Sequence, residues 1–288
     1  MCANVPAPPA PLKPRGRKMA DSLFARLSDA DFPIFAPGSV WLVGAGPGGP
    51  GLLTLLAVHA LGQADAVVYD ALVSPDILAL ARTDAERIHA GKRGGKPSPK
   101  QADITLQLIA LARQGRRVLR LKGGDPFMFG RGGEEAGALA AAGIPFRIVP
   151  GISAGLGGLA YAGIPVTHRE TNHAVIFLTG HDETGTVPGA VDWAAVASAA
   201  PVIVMYMAVK HLPAIADKLL AAGRSSTEVV TIVSHVASRN QSVLETTLGA
   251  AGATVDVPTP AIVVLGPVSR HRGALDWYVG EVRRHVFG

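Results

Sequence analysis

A single cysteine, Cys2, is all the thiol chemistry in the chain, which excludes an intramolecular disulfide framework and any multi-cysteine metal cluster. Charge is scarce too. Asp, Glu, Lys and Arg make up 17% of 288 residues, too little for a generally self-repelling, disordered chain. No apolar run reaches the roughly twenty residues that span a bilayer, and Pro6, Pro8, Pro9 and Pro11 interrupt the segment where an export peptide needs continuous apolar residues. Neither export nor membrane insertion is expected, and a cytoplasmic setting follows.

What is present is core material: 48% of residues are hydrophobic, and the length suggests two domains of roughly 150 residues or fewer. The 27 basic residues exceed the 22 acidic ones, but Lys13, Arg15, Arg17 and Lys18 lie in the first twenty positions, where no acid stands. The remainder is almost balanced, which argues against non-specific nucleic-acid binding, a mode that needs many phosphate-neutralising groups. Residues 1–37 read as a Pro-rich extension, expected to be disordered apart from a short helix around Leu23–Leu27.

From Gly38 the pattern becomes α/β. SVWLVGAG (39–46) reads as a strand entering a Gly-rich turn, followed by a helix over LLTLLAVHALG (52–62) and a strand, AVVYD, ending at Asp70. A basic Gly/Pro loop (91–101), a helix from Asp103, the strand RVLRLKG (117–123), a helix from Gly132 and the strand FRIV (146–149) complete a first domain, 38–152. Pro150 and Gly151 punctuate the chain. A second domain, 153–288, restarts with HAVIFLTGH (173–181), PVIVMYM (201–207), a helix over 211–222, EVVTIVSH and AIVVLGP. Parallel crossovers are expected in this alternation, with one continuous sheet as the competing architecture.

Gly44, Gly46 and Gly49 match G-x-G-x-x-G, and Asp70 lies 21 residues beyond Gly49. Three readings stay open at that point: a dinucleotide site, a site for another nucleotide-like cofactor, or a structural turn. Pro47 weakens the first, because proline removes an N–H that a phosphate would use.

More specific segments follow: VWLVGAGPGGPGLLT (40–54), VVYDALVS (67–74), GKRGGKPSPKQ (91–101), LRLKGGDPFMFGRGGEE (119–135) and IVPGISAGLGGLAYAGIPVTHR (148–169). Together, and in this order, they resemble the tetrapyrrole (precorrin/corrin) methyltransferase family, in particular its uroporphyrinogen-III branch serving cobalamin synthesis. The resemblance runs from about Val40 to Trp277. It implies a two-domain α/β fold with an active-site cleft between the domains, commonly a homodimer, with no metal. It also implies S-adenosylmethionine as methyl donor, S-adenosylhomocysteine as product, and methylation of uroporphyrinogen III at C2 and C7 to precorrin-2 via precorrin-1. A related precorrin methyltransferase, or a catalytically weakened tetrapyrrole-binding homologue, are the alternatives.

Under that resemblance Asp70 corresponds to a carboxylate that takes a proton from the macrocycle or places the substrate, and Lys92 to a lysine handling substrate or protons. Arg93, Lys96 and Lys100 extend the basic loop, suited to a polycarboxylate. Arg131 would face a substrate carboxylate or brace its turn, while His168 and Arg169 would reach carboxylates or hold the domain junction. The cofactor side would comprise Pro47, Gly123, Gly124, Asp125, Met128, Ser153, Ala154, Met207, Val236, Pro260 and Ala261. By their residue types alone, Asp125 could cap its turn and Met128 and Met207 could be ordinary core. His173 and His181 lack neighbours with metal-ligand spacing and read as turn or buried-polar residues. The chain departs from the family pattern at Gly49, where an acid is usual, near Val236, where glycine is usual, in a short stretch between Leu248 and Pro260, and at Pro267.

Overall fold

The computed structural model describes residues 32–91, 101–253 and 256–278. Two five-stranded sheets carry the architecture, so the continuous-sheet alternative is set aside. The folded unit begins at Phe35, inside the segment that composition groups with the extension. Phe35 is buried and stacks on Trp41 with ring centroids 4.5 Å apart, which gives this apolar residue a place in the core.

The first half runs β1 (Val40–Gly44), α1 (Leu55–Gln63), β2 (Ala66–Tyr69), α2 (Pro75–Leu78), β3 (Glu86–His89), α3 (Gln101–Arg113), β4 (Val118–Lys122), α4 (Gly132–Ala141) and β5 (Phe146–Val149). Its strands pair in the order β3-β2-β4-β1-β5, every pair parallel. Helical crossovers cover both faces, so β1 and β4 are buried throughout. Trp41, Val43, Leu119 and Leu121 face α1, while Val40, Leu42 and Val118 face α3 and α4. Thr54 starts α1 by accepting a hydrogen bond from the Ala57 N–H at 3.1 Å.

The second half adds β6 (Val175–Thr179), α5 (Trp193–Ala199), β7 (Val202–Tyr206), α6 (Leu212–Ala221), β8 (Val229–Ser234), β9 (Ser242–Thr247), β10 (Ala261–Leu265) and α7 (Arg272–Leu275). The order is β6-β7-β10-β8-β9. Only β6–β7 is parallel; β7–β10, β10–β8 and β8–β9 are antiparallel. The expectation of parallel crossovers therefore describes the first sheet and, in the second, only the β6–α5–β7 unit; the rest of that sheet is antiparallel, with a hairpin joining β8 to β9. Among the described residues no helix is long and apolar enough to cross a membrane.

The first half closes on itself where Gly44, Gly124 and Gly151 meet. A Cβ on Gly44 would lie 2.5 Å from the Gly151 Cα and 2.6 Å from the Gly124 carbonyl oxygen. Only glycine permits this contact of strand end, turn and linker. Gly46 and Gly124 also exchange backbone hydrogen bonds at 3.1 and 2.9 Å.

Candidate active site

The carboxyl ends of β1, β2 and β4, the residue 153–154 linker, and the facing ends of β7, β8 and β10 enclose a cleft of about 850 Å³. Open α/β sheets bind ligands at the carboxyl ends of their strands. All eleven positions assigned to the cofactor side line this cleft: Pro47, Gly123, Gly124, Asp125, Met128, Ser153, Ala154, Met207, Val236, Pro260 and Ala261. Asp70 and Arg131 line it as well. Lys92, Arg93, Lys96 and Lys100 fall outside the described residues.

Asp125 works on the chain itself. One carboxylate oxygen accepts from the Phe127 N–H at 2.8 Å, the other from the Gly151 N–H at 2.9 Å. It therefore ties the GGDP turn to the linker while facing the cleft, and each oxygen keeps a further lone pair for a ligand. Arg131, exposed with a left-handed backbone (φ 59), forms a forked ion pair with Glu134. That pairing raises the guanidinium's proton affinity, the Glu134 hydrogen bond being the largest cause.

Beneath Asp70 lies a charge cluster that the residue-by-residue reading of the sequence missed. Arg120 and Lys122 project from the same face of β4, two residues apart, into the layer beneath α4. Arg120 donates to Asp70 at 2.5 Å and to Glu135 at 3.0 Å; the Lys122 ammonium lies 3.1 Å from Glu135 and 3.9 Å from Asp70. Glu135 is wholly buried, whereas the Asp70 side chain keeps 28% of its exposure, toward the cleft. Burial is the main cause lowering the Lys122 pKa, with Arg120 adding to it; Glu135 and Asp70 oppose the shift. Two cations thus balance two carboxylates in the cleft floor. Tyr206 and Phe129, also missed, form part of its wall, their rings 5.0 Å apart.

His168 and Arg169 do not line the cleft. The His168 N–H donates to Asn172 Oδ1 at 3.0 Å, and its ring stacks on His271 at 4.0 Å, with Thr171 Oγ1 2.9 Å from His271 Nε2. Arg169 is exposed. Desolvation first, then His168 and Arg270, lower the His271 pKa, while Glu170 opposes them. A folded-state pKa below 6.5 means that the stability this histidine confers is present above 6.5 and is lost as pH falls through the folded value. A side-chain NMR titration should place the His271 midpoint below 6.5, and His168→Gln should move it upward. A midpoint that His168→Gln leaves in place would remove the stacked pair as a cause.

Among the described residues no group of three or more His, Cys, Asp or Glu side chains could hold a metal ion. The lining does fit an adenosyl sulfonium compound. Pro47, Ala154, Ala261 and Ile262 offer apolar surface for a ring, Ser153 and Asp125 offer polar contacts, and the carboxylates of Asp70 and Asp125 suit a cation.

A family model described as tetrapyrrole (corrin/porphyrin) methylases matches residues 39–252. The chain belongs to that family. This methylase is 63% identical, over 90% of its own length and 92% of the relative's, to a uroporphyrinogen-III C-methyltransferase of Sinorhizobium sp.. It is 47% identical to a siroheme synthase of Stutzerimonas stutzeri, spanning 85% of this chain and 53% of that protein, so it corresponds to about half of that longer protein. Among solved structures, a uroporphyrin-III C-methyl transferase from Thermus thermophilus complexed with S-adenyl homocysteine superposes with a TM-score of 0.71 at 39% identity, covering 81% of this chain and 99% of that one. The two-lobed methylase fold with its intervening cleft is thus the fold of this chain.

The departures have local consequences. Gly49 precedes a 3-10 turn, Pro50–Leu52, with no side-chain cap, and a Cβ there would meet nothing within 4 Å. The turn could accommodate the usual acid, yet Thr54 caps the following helix without it. Val236 is buried in the cleft wall between His235 (φ 48) and Ala237 (φ 58), left-handed conformations in which glycine or asparagine would be less strained.

Proposed function

We propose that this methylase transfers methyl groups from S-adenosylmethionine to C2 and C7 of uroporphyrinogen III, giving precorrin-2 via precorrin-1. The observation that carries the reading is the placement of Asp70: its carboxylate faces the same cleft as the eleven cofactor-side positions, held by a buried arginine. When bound, S-adenosylmethionine supplies the methyl group and leaves as S-adenosylhomocysteine.

The chain's own task is then to align, to exclude water and to move a proton. The apolar wall of Pro47, Met128, Ala154 and Ala261 holds the reacting groups in line and keeps competing water away. After the pyrrole carbon has formed its new C–C bond, a proton must leave the macrocycle; Asp70 is the acceptor within the cleft. Arg120 fixes that carboxylate's orientation. Arg131 at the rim, together with Lys92, Arg93 and Lys96 of the basic loop, complements a substrate bearing a carboxylate on every peripheral side chain. His168 and Arg169, away from the cleft, act in the linker region rather than on substrate. A homodimer and a cytoplasmic location complete the proposal.

Mass spectrometry of the product from purified protein, uroporphyrinogen III and S-adenosylmethionine tests it. Two added methyl groups are expected. One would restrict the reaction to its first stage, and substrate binding with no transfer at saturating donor would leave a tetrapyrrole-binding homologue.

A further inference from the structure

Tyr206 ends β7 and stands in the wall of the cleft, nine-tenths buried. Its hydroxyl oxygen accepts a hydrogen bond from the Gly155 N–H at 2.9 Å and lies 2.5 Å from Ser153 Oγ. The linker packs directly on the phenol: a Cβ on Gly155 would come within 2.6 Å of the Tyr206 hydroxyl oxygen and 2.7 Å of the ring carbon bearing it. Phe129 supports the ring from the first half of the chain.

Counting hydrogens gives this bond a direction. The phenol has one proton to donate, and Gly155 already occupies one of its acceptor positions. Donation to Ser153 satisfies that proton; donation in the opposite sense would leave it in a buried wall, since Ser153 and Gly155 are its hydrogen-bond partners among the described residues. The Ser153 proton is then free to point into the cleft. Burial, the largest cause, raises the Tyr206 pKa above 10.0, so the phenol proton is present throughout the working pH range.

We infer that Tyr206 is a positioning residue for the methyl donor: its hydroxyl orients the Ser153 hydroxyl as a hydrogen-bond donor into the cleft and clamps the Ser153–Gly155 turn beside it. The inference rests on reading this cleft as the methyl-donor site.

Isothermal titration with S-adenosylhomocysteine, alongside steady-state kinetics, tests it on the full chain. Tyr206→Phe keeps the ring that packs on Gly155 and removes only the hydroxyl. It should weaken binding about tenfold, the scale of one net hydrogen bond, and raise the donor KM similarly while kcat stays within about twofold. Ser153→Ala should lose about as much, and the double variant scarcely more than either single one, because both remove the same bond. Ser153→Thr, which restores a hydroxyl, should recover most of the affinity. Wild-type affinity in Tyr206→Phe, or additive losses in the double variant, would overturn the inference. Failure of the unsubstituted chain to bind S-adenosylhomocysteine would instead remove the donor-site reading, and the inference with it.

Discussion

Asp70→Asn lowers kcat by about 10²–10⁴-fold, the range for removing a general base, while S-adenosylhomocysteine affinity stays within about twofold. Asparagine has nearly the same shape, and its side-chain oxygen can still accept from Arg120, now 2.5 Å from the carboxylate. It cannot take a proton. The loss should therefore appear in kcat with substrate KM little changed. The substitution also leaves Arg120 and Lys122 sharing one carboxylate, so a melting curve must accompany the kinetics. Unchanged turnover would end the assignment of Asp70 as acceptor. Unchanged turnover in Lys92→Ala as well would end both assignments made from the family motif. A tenfold or greater loss of S-adenosylhomocysteine affinity would show the substitution acting through the fold.

The central strands and long helices were legible because their patterns are local. VWLVG and VLRLK are short apolar-rich runs bounded by glycine, and they form buried strands covered on both faces. Of the four edge strands, two were not legible. Glu86–His89 and Ser242–Thr247 carry polar residues on their open sides, which lowers the contrast that marks a strand. α5 was missed for a different reason: its seven residues are mostly alanine, and the cap that starts it is Asp192, which accepts from the Ala194 and Ala195 N–H groups at 3.1 and 3.0 Å. The antiparallel second sheet depends on which strands meet in space, information that no single run of residues contains.

The candidate site divides similarly. Gly123, Gly124, Asp125 and Ser153 sit in punctuated turns, and their motifs place them beside one cleft. Glu135 is distant from Asp70 in sequence, and their relation passes through two side chains on a third element. A signal was nevertheless present: Arg120 and Lys122 alternate with leucine in an otherwise apolar central strand, and Glu135 lies four residues before the buried Leu139 on α4. Charges on both inward faces require one another, since an unpaired buried charge is costly. His168 and Arg169 went the other way. Their residue types left open a contact with substrate carboxylates or a hold on the domain junction; neither lines the cleft, and His168 holds the 168–172 turn and stacks on His271.

Glu135→Gln should destabilise the fold more than any surface substitution. Glu135 is fully buried and binds both Arg120 and Lys122; removing its charge leaves two cations against Asp70 alone. Breaking a buried pair by deleting one partner costs about 3–5 kcal/mol. In a chain of this size that corresponds to a fall in melting temperature of about 10 °C. The glutamate also sits in the first turn of α4, where a negative charge is favoured. The pH dependence gives a second check. Burial holds the folded Lys122 pKa below its ordinary 10.5, and Glu135 opposes that shift, so the Gln variant lowers it further. Because the unfolded chain binds the proton more readily, stability tied to Lys122 rises as pH climbs toward 10.5. It rises over a wider window in the variant, so the deficit should narrow from neutral to alkaline pH. Lys122→Met combined with Glu135→Leu, which replaces the pair by apolar side chains and leaves Arg120 with Asp70, should recover most of the loss. A Glu135→Gln variant melting with the unsubstituted chain at neutral pH would show that the buried cluster contributes no net stability, and a deficit independent of pH would separate Glu135 from Lys122.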